Sequence, residues 1–229
     1  MFSGFDFDVI QRTLPYLWQG MLFSLGLTLL AMLGGIVLGT LLALMRLSNH
    51  RAISLPAAAY VNLLRSTPLI LVIFWFYFLV PIAVKQITGN PYAAGIGPFY
   101  SALIAFTLFE AAYYCEIIRA GIQSVPAGQV HAAQALGLNY PQATLLVVLP
   151  QAFRNMVPIL LTQGIILFQD TSLVYVVGLT DFMGAASKVA QRDGRLVEMY
   201  LFAALVYFIL CFSASYFVKR LQLRITPPR

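Results

Sequence analysis

The sequence has little charge and few cysteines. Only 10% of its 229 residues are charged, whereas 60% are hydrophobic. An ordinary soluble domain carries about 25% charged residues, so a soluble fold could not hide this much apolar surface. The two cysteines, Cys115 and Cys211, lie inside apolar runs. We therefore expect them to be packing residues, with neither a disulfide nor a metal site, in an integral membrane protein.

The apolar residues form continuous runs rather than an alternating pattern, which favours helices over a membrane barrel. Because about 20 apolar residues cross the hydrocarbon core, the sequence predicts one all-α membrane domain over residues 1–229. Its five spans are expected at about 20–45, 57–80, 98–120, 152–177 and 199–218. An amphipathic segment (6–18) precedes the first span, a turn-rich loop (85–98) follows the second, and a polar connection (180–195) follows the fourth.

Small residues and helix breakers occur within these spans. The first span contains glycines at which another helix can approach closely: Gly26, Gly34, Gly35 and Gly39. The stretch "RSTP" (65–68) interrupts the second span near its start. The fourth apolar region is broken by Pro150, Pro158 and Asp170.

Five spans place the two ends of the chain on opposite sides of the membrane. With the N-terminus outside, the cytoplasmic face holds Arg46, Arg51, Arg65, Arg119, Arg154, Lys219, Arg220, Arg224 and Arg229. The outer face then holds Arg12, Lys85, Lys188, Arg192 and Arg195. Because basic residues concentrate on the cytoplasmic side, we expect this orientation. The net charge of +6 then reflects topology, and no nucleic-acid partner is expected.

A polar loop (121–143) separates the third and fourth spans on the expected cytoplasmic side. Its stretch "GQVHAAQALGLNY" (128–140) predicts a short helix at about 129–136. Gly137 follows where a left-handed cap usually lies, because glycine has no side-chain penalty there. Spacing alone leaves two interpretations open, a plain connector or a rigid contact that transmits force.

Several stretches resemble the permease subunits of ABC importers for polar amino acids. "AAQALG" (132–137), followed by Val147, Leu149 and Pro150, resembles the cytoplasmic coupling loop of these permeases. The family pattern opens with Glu-Ala-Ala, and this chain has His131 at the glutamate position. "RSTPLI" (65–70), "FEAAYYCEIIRAGIQSV" (109–125) and "LLTQGIILFQDTSLVYVVGLTDF" (160–182) resemble the second, third and fourth spans. The resemblance extends to permease subunits of bacterial glutamate/aspartate importers.

The resemblance implies a type I ABC importer permease fold in the bacterial inner membrane. The implied partners are a second permease subunit, in a heterodimer, two ATP-binding subunits and a periplasmic substrate-binding protein. This chain has no G-x-x-x-x-G-K-[ST] loop, so ATP and Mg²⁺ are expected in the partner ATPase, and no cofactor or catalytic residue is expected here. The implied ATPase contacts in the coupling loop (121–143) are His131, Ala132, Ala133, Leu136 and Gly137.

Charged groups inside a membrane are costly and usually mark a pair or a path. Glu116 and Arg119 are one helical turn apart, which predicts an ion pair. Glu110 is either a path residue or a hydrogen-bonded structural acid, and Asp170 either binds substrate or supports a bend. The candidate substrate path comprises Glu110, Tyr114, Gln169, Asp170, Thr171 and Ser172. An ammonium group would favour the acids, and an α-carboxylate would favour the amide and hydroxyl groups.

The acidic substrate also needs a cation, and no arginine or lysine is clearly placed in the middle of a span. Arg65 and Arg154 are interpreted as residues at the cytoplasmic ends of spans. The charges around Asp181 in the polar connection are expected to contact the binding protein or solvent. An importer of another polar amino acid and an ion-coupled secondary transporter stay open as alternatives. A membrane enzyme is not expected, because the sequence has only two histidines, His50 and His131.

Overall fold

The computed structural model describes residues 6–89 and 96–225, and these two ranges are largely helical. The helices are α1 (Phe7–Leu47), α2 (Arg51–Arg65), α3 (Leu69–Thr88), α4 (Gly97–Gln123), α5 (Ala127–Ala135), α6 (Tyr140–Val177), α7 (Phe182–Asp193) and α8 (Leu196–Ile225). Five of them, α1, α3, α4, α6 and α8, are long and apolar enough to cross a membrane. The predicted count of five spans is confirmed. Residues 90–95 of the turn-rich loop and Arg229 lie outside the described residues.

The helices extend beyond the apolar windows from which the spans were predicted. The predicted amphipathic segment is the first part of α1, whose start is capped by the Asp6 side chain accepting a hydrogen bond from the Asp8 N–H at 2.9 Å. At the other end of the chain, α8 runs to Ile225 although its predicted span ended at 218. Hydropathy detects only the apolar part of a helix, whereas backbone hydrogen bonding and caps continue into the polar parts.

The second predicted span (57–80) is divided differently in the structure. Its first residues belong to α2, and the membrane-length helix α3 begins only at Leu69. Pro68 precedes α3 with an extended backbone (ψ 136°). Proline has no N–H to donate, and it pushes the residue before it away from the helical region. The interruption at "RSTP" is therefore a complete break between two helices.

Two wide π-helical turns precede prolines inside the long helices. In α3 the turn covers Trp75–Leu79, and the Val80 N–H donates to the Trp75 carbonyl, directly before Pro81. In α6 the turn covers Thr144–Val148 and is likewise followed, after Leu149, by Pro150. A proline ring clashes with the carbonyl four residues earlier, and a widened turn relieves that clash without ending the helix.

Close packing of α1 against α4 depends on glycine. A Cβ atom added to Gly39 would lie 2.8 Å from the Tyr114 Cβ and 2.9 Å from the Ala111 carbonyl oxygen. A Cβ atom on Gly35 would lie 3.1 Å from the Tyr114 ring. In contrast, Gly26 has no such neighbour within 4 Å. The prediction of close approach therefore holds at Gly34, where an added Cβ would lie 2.8 Å from the Thr107 Cγ2, and at Gly35 and Gly39, and it is wrong for Gly26.

The polar connection after the fourth span is not a loop but the helix α7, which packs against α1 and α8. Its start is capped by Asp181, whose carboxylate accepts hydrogen bonds from the Met183 and Gly184 N–H groups at 2.9 and 3.0 Å. Asp181 is fully buried, and burial raises the pKa of its carboxyl to about 6. The expectation that Asp181 faces the binding protein or solvent is therefore wrong, because its carboxylate is used inside the protein as a helix cap.

Candidate functional site

The coupling loop contains the short helix α5, which is closed by a turn at Gly137. Gly137 has a φ of +90°, the left-handed conformation that only glycine adopts without penalty. Its N–H donates to the Gln134 carbonyl at 2.9 Å, and the Leu138 N–H donates to the Ala133 carbonyl at 3.2 Å. This pair of bonds satisfies the last carbonyls of the helix in the Schellman arrangement. The predicted left-handed cap is confirmed.

A second hydrogen-bonded motif begins directly after this turn. The Asn139 side chain accepts from the Gln142 backbone N–H at 2.9 Å, and the Gln142 side chain accepts from the Asn139 backbone N–H at 3.0 Å. This reciprocal capping box starts α6. The chain is thus held by hydrogen bonds on both sides of Gly137, and α5 is joined to α6 by a short, well-defined turn.

The outer face of α5 carries an exposed apolar anchor. Leu136 is 84% exposed, and His131 and Ala132 are also exposed. Ala133 is buried, on a helix that packs against the first turns of α6. Single exposed apolar residues are common on protein surfaces, so Leu136 acquires a meaning only from its place at the end of α5 in the coupling loop.

A cavity of about 370 Å³ lies between the start of α3, the middle of α4 and the second half of α6. Its walls are formed by Thr67, Pro68, Leu69, Phe109, Tyr113, Gln163, Ile166, Asp170 and Leu173. A volume of this order suits a small polar metabolite. The break before α3 therefore has a consequence, because it brings a hydroxyl and an unwound backbone to the edge of a membrane helix bundle.

The two intramembrane acids singled out from the sequence are brought near this cavity. Asp170 is half-buried and lines it, and within the described residues its side chain has no hydrogen bond or ion pair. Glu110 is fully buried behind the wall, where its Oε1 accepts a hydrogen bond from the Gln163 Nε2 at 3.2 Å. Gln163, which is not among the site residues predicted from the sequence, therefore connects Glu110 to the cavity.

The tyrosine that faces the cavity is Tyr113, whereas the sequence predicts Tyr114 as the path residue. Tyr114 is fully buried against α1, and within the described residues its hydroxyl and the Oε2 of Glu110 lack hydrogen-bond partners. A buried polar atom without a partner costs about 1–3 kcal/mol. A period of 3.6 residues separates the two tyrosines by about 100° around α4, and the sequence held no clue to which of the two faces the cavity.

The other polar residues of the fourth span are divided between different surroundings. Gln169 and Ser172 line a second cavity of about 310 Å³, which Tyr207 of α8 also borders. Thr171 is buried, and its hydroxyl donates to the Phe168 carbonyl at 2.7 Å. At Thr171 the helix tightens into a 3₁₀ segment that ends at Val177. Of the four adjacent polar residues, the structure therefore brings only Asp170 to the first cavity, while Thr171 supports the change of helix type.

Glu116 lies at the centre of a cluster of three arginines at one end of the bundle. Its Oε2 is 2.7 Å from the Arg119 Nη2, so the predicted pair is confirmed. Its Oε1 is paired with Arg46, and Arg65 approaches Oε2 at 3.8 Å. The guanidinium of Arg65 also lies over the ring of Tyr113, 5.5 Å from the ring centroid. Arg46 and Arg65 are far from Glu116 in sequence, so these contacts could not be read from helical spacing.

At the opposite end, charged residues near the start of α1 pair with residues at the end of α7 and directly after it. Arg12 contacts Asp193 at 3.1 Å, and Arg195 contacts Asp6 at 3.7 Å and Glu198 at 3.2 Å. The neighbouring Arg192 guanidinium lowers the pKa of the Asp193 carboxyl. These pairs connect the start of α1 with the end of α7 and the start of α8, although ion pairs with a solvent-exposed partner contribute little stability individually.

Comparison with known proteins identifies the class. Residues 35–227 match the family described as "binding-protein-dependent transport system inner membrane component". The chain therefore belongs to this family of membrane permease components, and it is a multi-pass membrane protein with their type I ABC importer fold.

Individual relatives agree with this family. The glutamate/aspartate import permease protein GltK of Escherichia coli O157:H7 is 52% identical over 220 residues, which cover 96% of this chain and 98% of that protein. Among solved structures, an amino acid ABC transporter crystallised with histidines is 30% identical, with a TM-score of 0.86 over 96% of this chain and 98% of the other. The MetNI methionine ABC transporter, in inward-facing conformations, matches with a TM-score of 0.74 at 21% identity over 94% and 99% of the two chains, and that likeness concerns the fold alone.

Proposed function

We propose that this chain is one transmembrane subunit of an ATP-driven importer that carries glutamate and aspartate across the bacterial inner membrane. It acts with a second permease subunit in a heterodimer, two ATP-binding subunits and a periplasmic binding protein that delivers the amino acid. The choice of substrate is supported by the 52% identity to a glutamate/aspartate import permease over nearly the whole chain. The N-terminus lies outside and the C-terminus in the cytoplasm.

The observation that carries this proposal is the exposed leucine at the end of the rigid helix α5. Leu136 is 84% exposed, while the backbone on either side of it is fixed by the Schellman turn and the capping box. Such a helix inserts its anchor into a groove of the ATPase and passes on movement without bending. When ATP closes the ATPase dimer, α5 moves with it, and the helices attached to α5 change the side to which the path opens. ATP and Mg²⁺ are bound in the partner, and this chain contributes no catalytic residue.

The cavity between α3, α4 and α6 is the proposed substrate site. Asp170 receives the ammonium group of the amino acid, because an uncompensated carboxylate in a membrane bundle favours a cation. Gln163 has a second amide N–H beyond the one bonded to Glu110, and that group donates to the α-carboxylate. Glu110 fixes the orientation of the Gln163 amide through the 3.2 Å hydrogen bond.

The test uses the complex reconstituted in lipid vesicles with its ATPase, second permease and binding protein. Glutamate- or aspartate-loaded binding protein is expected to stimulate ATP hydrolysis and uptake, whereas arginine and histidine do not. Asp170→Asn is expected to abolish uptake while the complex still assembles. Ser172→Ala serves as the matched control, since it changes a neighbouring polar residue that faces the other cavity. Stimulation by a neutral amino acid in place of glutamate and aspartate would replace the proposed substrate, and an assembly without any ATPase would refute the mechanism.

A further inference from the structure

We propose that Arg65 selects for an anionic substrate by receiving its side-chain carboxylate at the edge of the cavity. This inference rests on the proposed function, for which it supplies the cation that the sequence did not reveal. It concerns a residue in the "RSTP" break, outside the predicted substrate path.

The cluster has more positive charge than its own acid can neutralise. Arg46, Arg65 and Arg119 surround the single carboxylate of Glu116. Three guanidinium groups against one carboxylate leave two positive charges at one end of a bundle that is otherwise apolar. Guanidinium groups cannot lose their proton in a protein, so this surplus has to be met by water, lipid headgroups or an anionic ligand.

Arg65 has the most accessible side chain of the three arginines in the cluster. Arg119 donates to Glu116 at 2.7 Å and to Gln123 at 2.7 Å, and Arg46 is paired with the other carboxylate oxygen. Arg65 is 3.8 Å from Glu116, beyond hydrogen-bond distance, and its side chain is 43% exposed, against 27% for Arg119. A guanidinium presents five N–H donors in a fork that fits a carboxylate, and Glu116 already shows that this cluster accepts one.

The position of Arg65 connects the cluster to the substrate cavity. Its guanidinium lies over the ring of Tyr113, and Tyr113 is part of the cavity wall. Thr67 and Pro68, which follow Arg65 closely in sequence, also line the cavity. Two sides of the cavity therefore differ in charge. The arginine cluster lies beyond the wall that contains Tyr113, and the carboxylate of Asp170 lies on the wall formed by α6. A glutamate in the cavity turns its ammonium group towards Asp170 and its side-chain carboxylate towards Arg65, whereas glutamine lacks the charge that Arg65 would recognise.

The experiment compares binding of glutamate and of glutamine to the purified permease–ATPase complex, by calorimetric titration without the binding protein. The variants are Arg65→Gln, Arg65→Lys and, as a matched control, Arg119→Gln, which removes the same charge from the same cluster but not from the face of Tyr113. Because a charge-assisted hydrogen bond is lost, Arg65→Gln is expected to reduce the preference for glutamate over glutamine by about ten- to a hundredfold. Arg65→Lys should keep most of the preference, and Arg119→Gln should change it much less.

Several results would overturn the inference. They are an unchanged preference in Arg65→Gln, equal weakening of both ligands, an equal effect of Arg119→Gln, or no titratable glutamate binding to a complex that transports it. Assembly of each variant is checked by co-purification of the ATPase, and the charge-retaining lysine variant provides the comparison if the glutamine variant fails to assemble. Uptake by the wild-type complex distinguishes a failure of the proposed function from a failure of the role of Arg65. If the wild type does not import glutamate, the proposed function is lost, whereas normal import with an unchanged preference rejects only the role of Arg65.

Discussion

Substitution of Gly137 tests whether the shape of the coupling loop transmits force. Gly137 has a φ of +90°, and a Cβ atom added there would meet no atom within 4 Å. The effect of a side chain is therefore purely conformational. Placing a non-glycine residue in the left-handed region costs about 1–2 kcal/mol, and a β-branched residue is a still poorer fit. A cost of 1–2 kcal/mol reduces the population of the native turn about 5- to 30-fold relative to alternatives.

Gly128, near the start of α5, provides a matched control within the same coupling loop. It too has open space around an added Cβ atom, but its φ lies outside the left-handed range. Gly128→Ala should be neutral or slightly favourable for α5, since alanine is the better helix former by about 0.5–1 kcal/mol. The series Gly137→Asn, Gly137→Ala and Gly137→Val should then be increasingly harmful, because asparagine tolerates the left-handed conformation best.

The assay measures the number of ATP molecules hydrolysed per amino acid imported, together with co-purification of the ATPase. The valine variant is expected either to hydrolyse ATP without matching import or to lose the ATPase altogether. A well-assembled Gly137→Val complex with wild-type coupling would refute the idea that this turn has to be rigid. Equal defects in Gly128→Ala and Gly137→Ala would show that the added atom, and not the backbone conformation, is responsible.

Three further predictions concern stability, and each is measured as a shift in the thermal unfolding of the complex in lipid nanodiscs. Gly39→Ala should cost about 1–3 kcal/mol by overpacking against backbone atoms of α4, whereas Gly26→Ala should not, and equal melting temperatures would contradict the packing argument. Glu116→Gln leaves three arginines without their carboxylate, so it should destabilise the folded protein by about 2 kcal/mol. This is less than for a fully buried ion pair, because the cluster is partly solvated. An unchanged stability would show that water already compensates the charges of the arginines. Burial raises the pKa of Asp181 from 3.8 to about 6, so the contribution of this carboxyl to stability should decline as the pH rises through this range. Relative to wild type, Asp181→Asn should therefore gain stability between these two pH values and gain no more above them. A stability difference between the two proteins that is independent of pH would contradict this prediction.

The sequence predicted the number of spans and the turn at Gly137 because both depend on local properties. A run of about 20 apolar residues is visible in any window, and a glycine after a helix-forming stretch has few conformations to choose from. It misplaced the start of the second span because hydropathy averages over "RSTP", although Pro68 in that stretch ends one helix and starts the next. It also missed α7, whose signals were the Asp181 cap, the Gly194 stop and a row of alanines with helical spacing.

The arrangement around the cavity could not be predicted in the same way. Whether Tyr113 or Tyr114 faces the cavity is set by the rotation of α4, and that rotation is fixed by its contact with Gly35 and Gly39 of α1. The contact of Gln163 with Glu110 depends on the packing of α6 against α4, which the sequence does not show. The pairing of Glu116 with arginines from two other helices is likewise a product of tertiary structure, and the intrahelical pair with Arg119 was the only part visible along the sequence.

Helix α5 lies in the segment of chain that links α4 to α6, and both of these helices form walls of the cavity. Gln163 is 23 residues beyond Tyr140, about 34 Å along the helix axis. If one of these helices swings by about 5° about the end held by α5, its cavity wall is displaced by about 3 Å at that distance. A displacement of this size is comparable to the width of a water molecule, so a tilt too small to disturb the packing near α5 is enough to admit or exclude a solute at the far end.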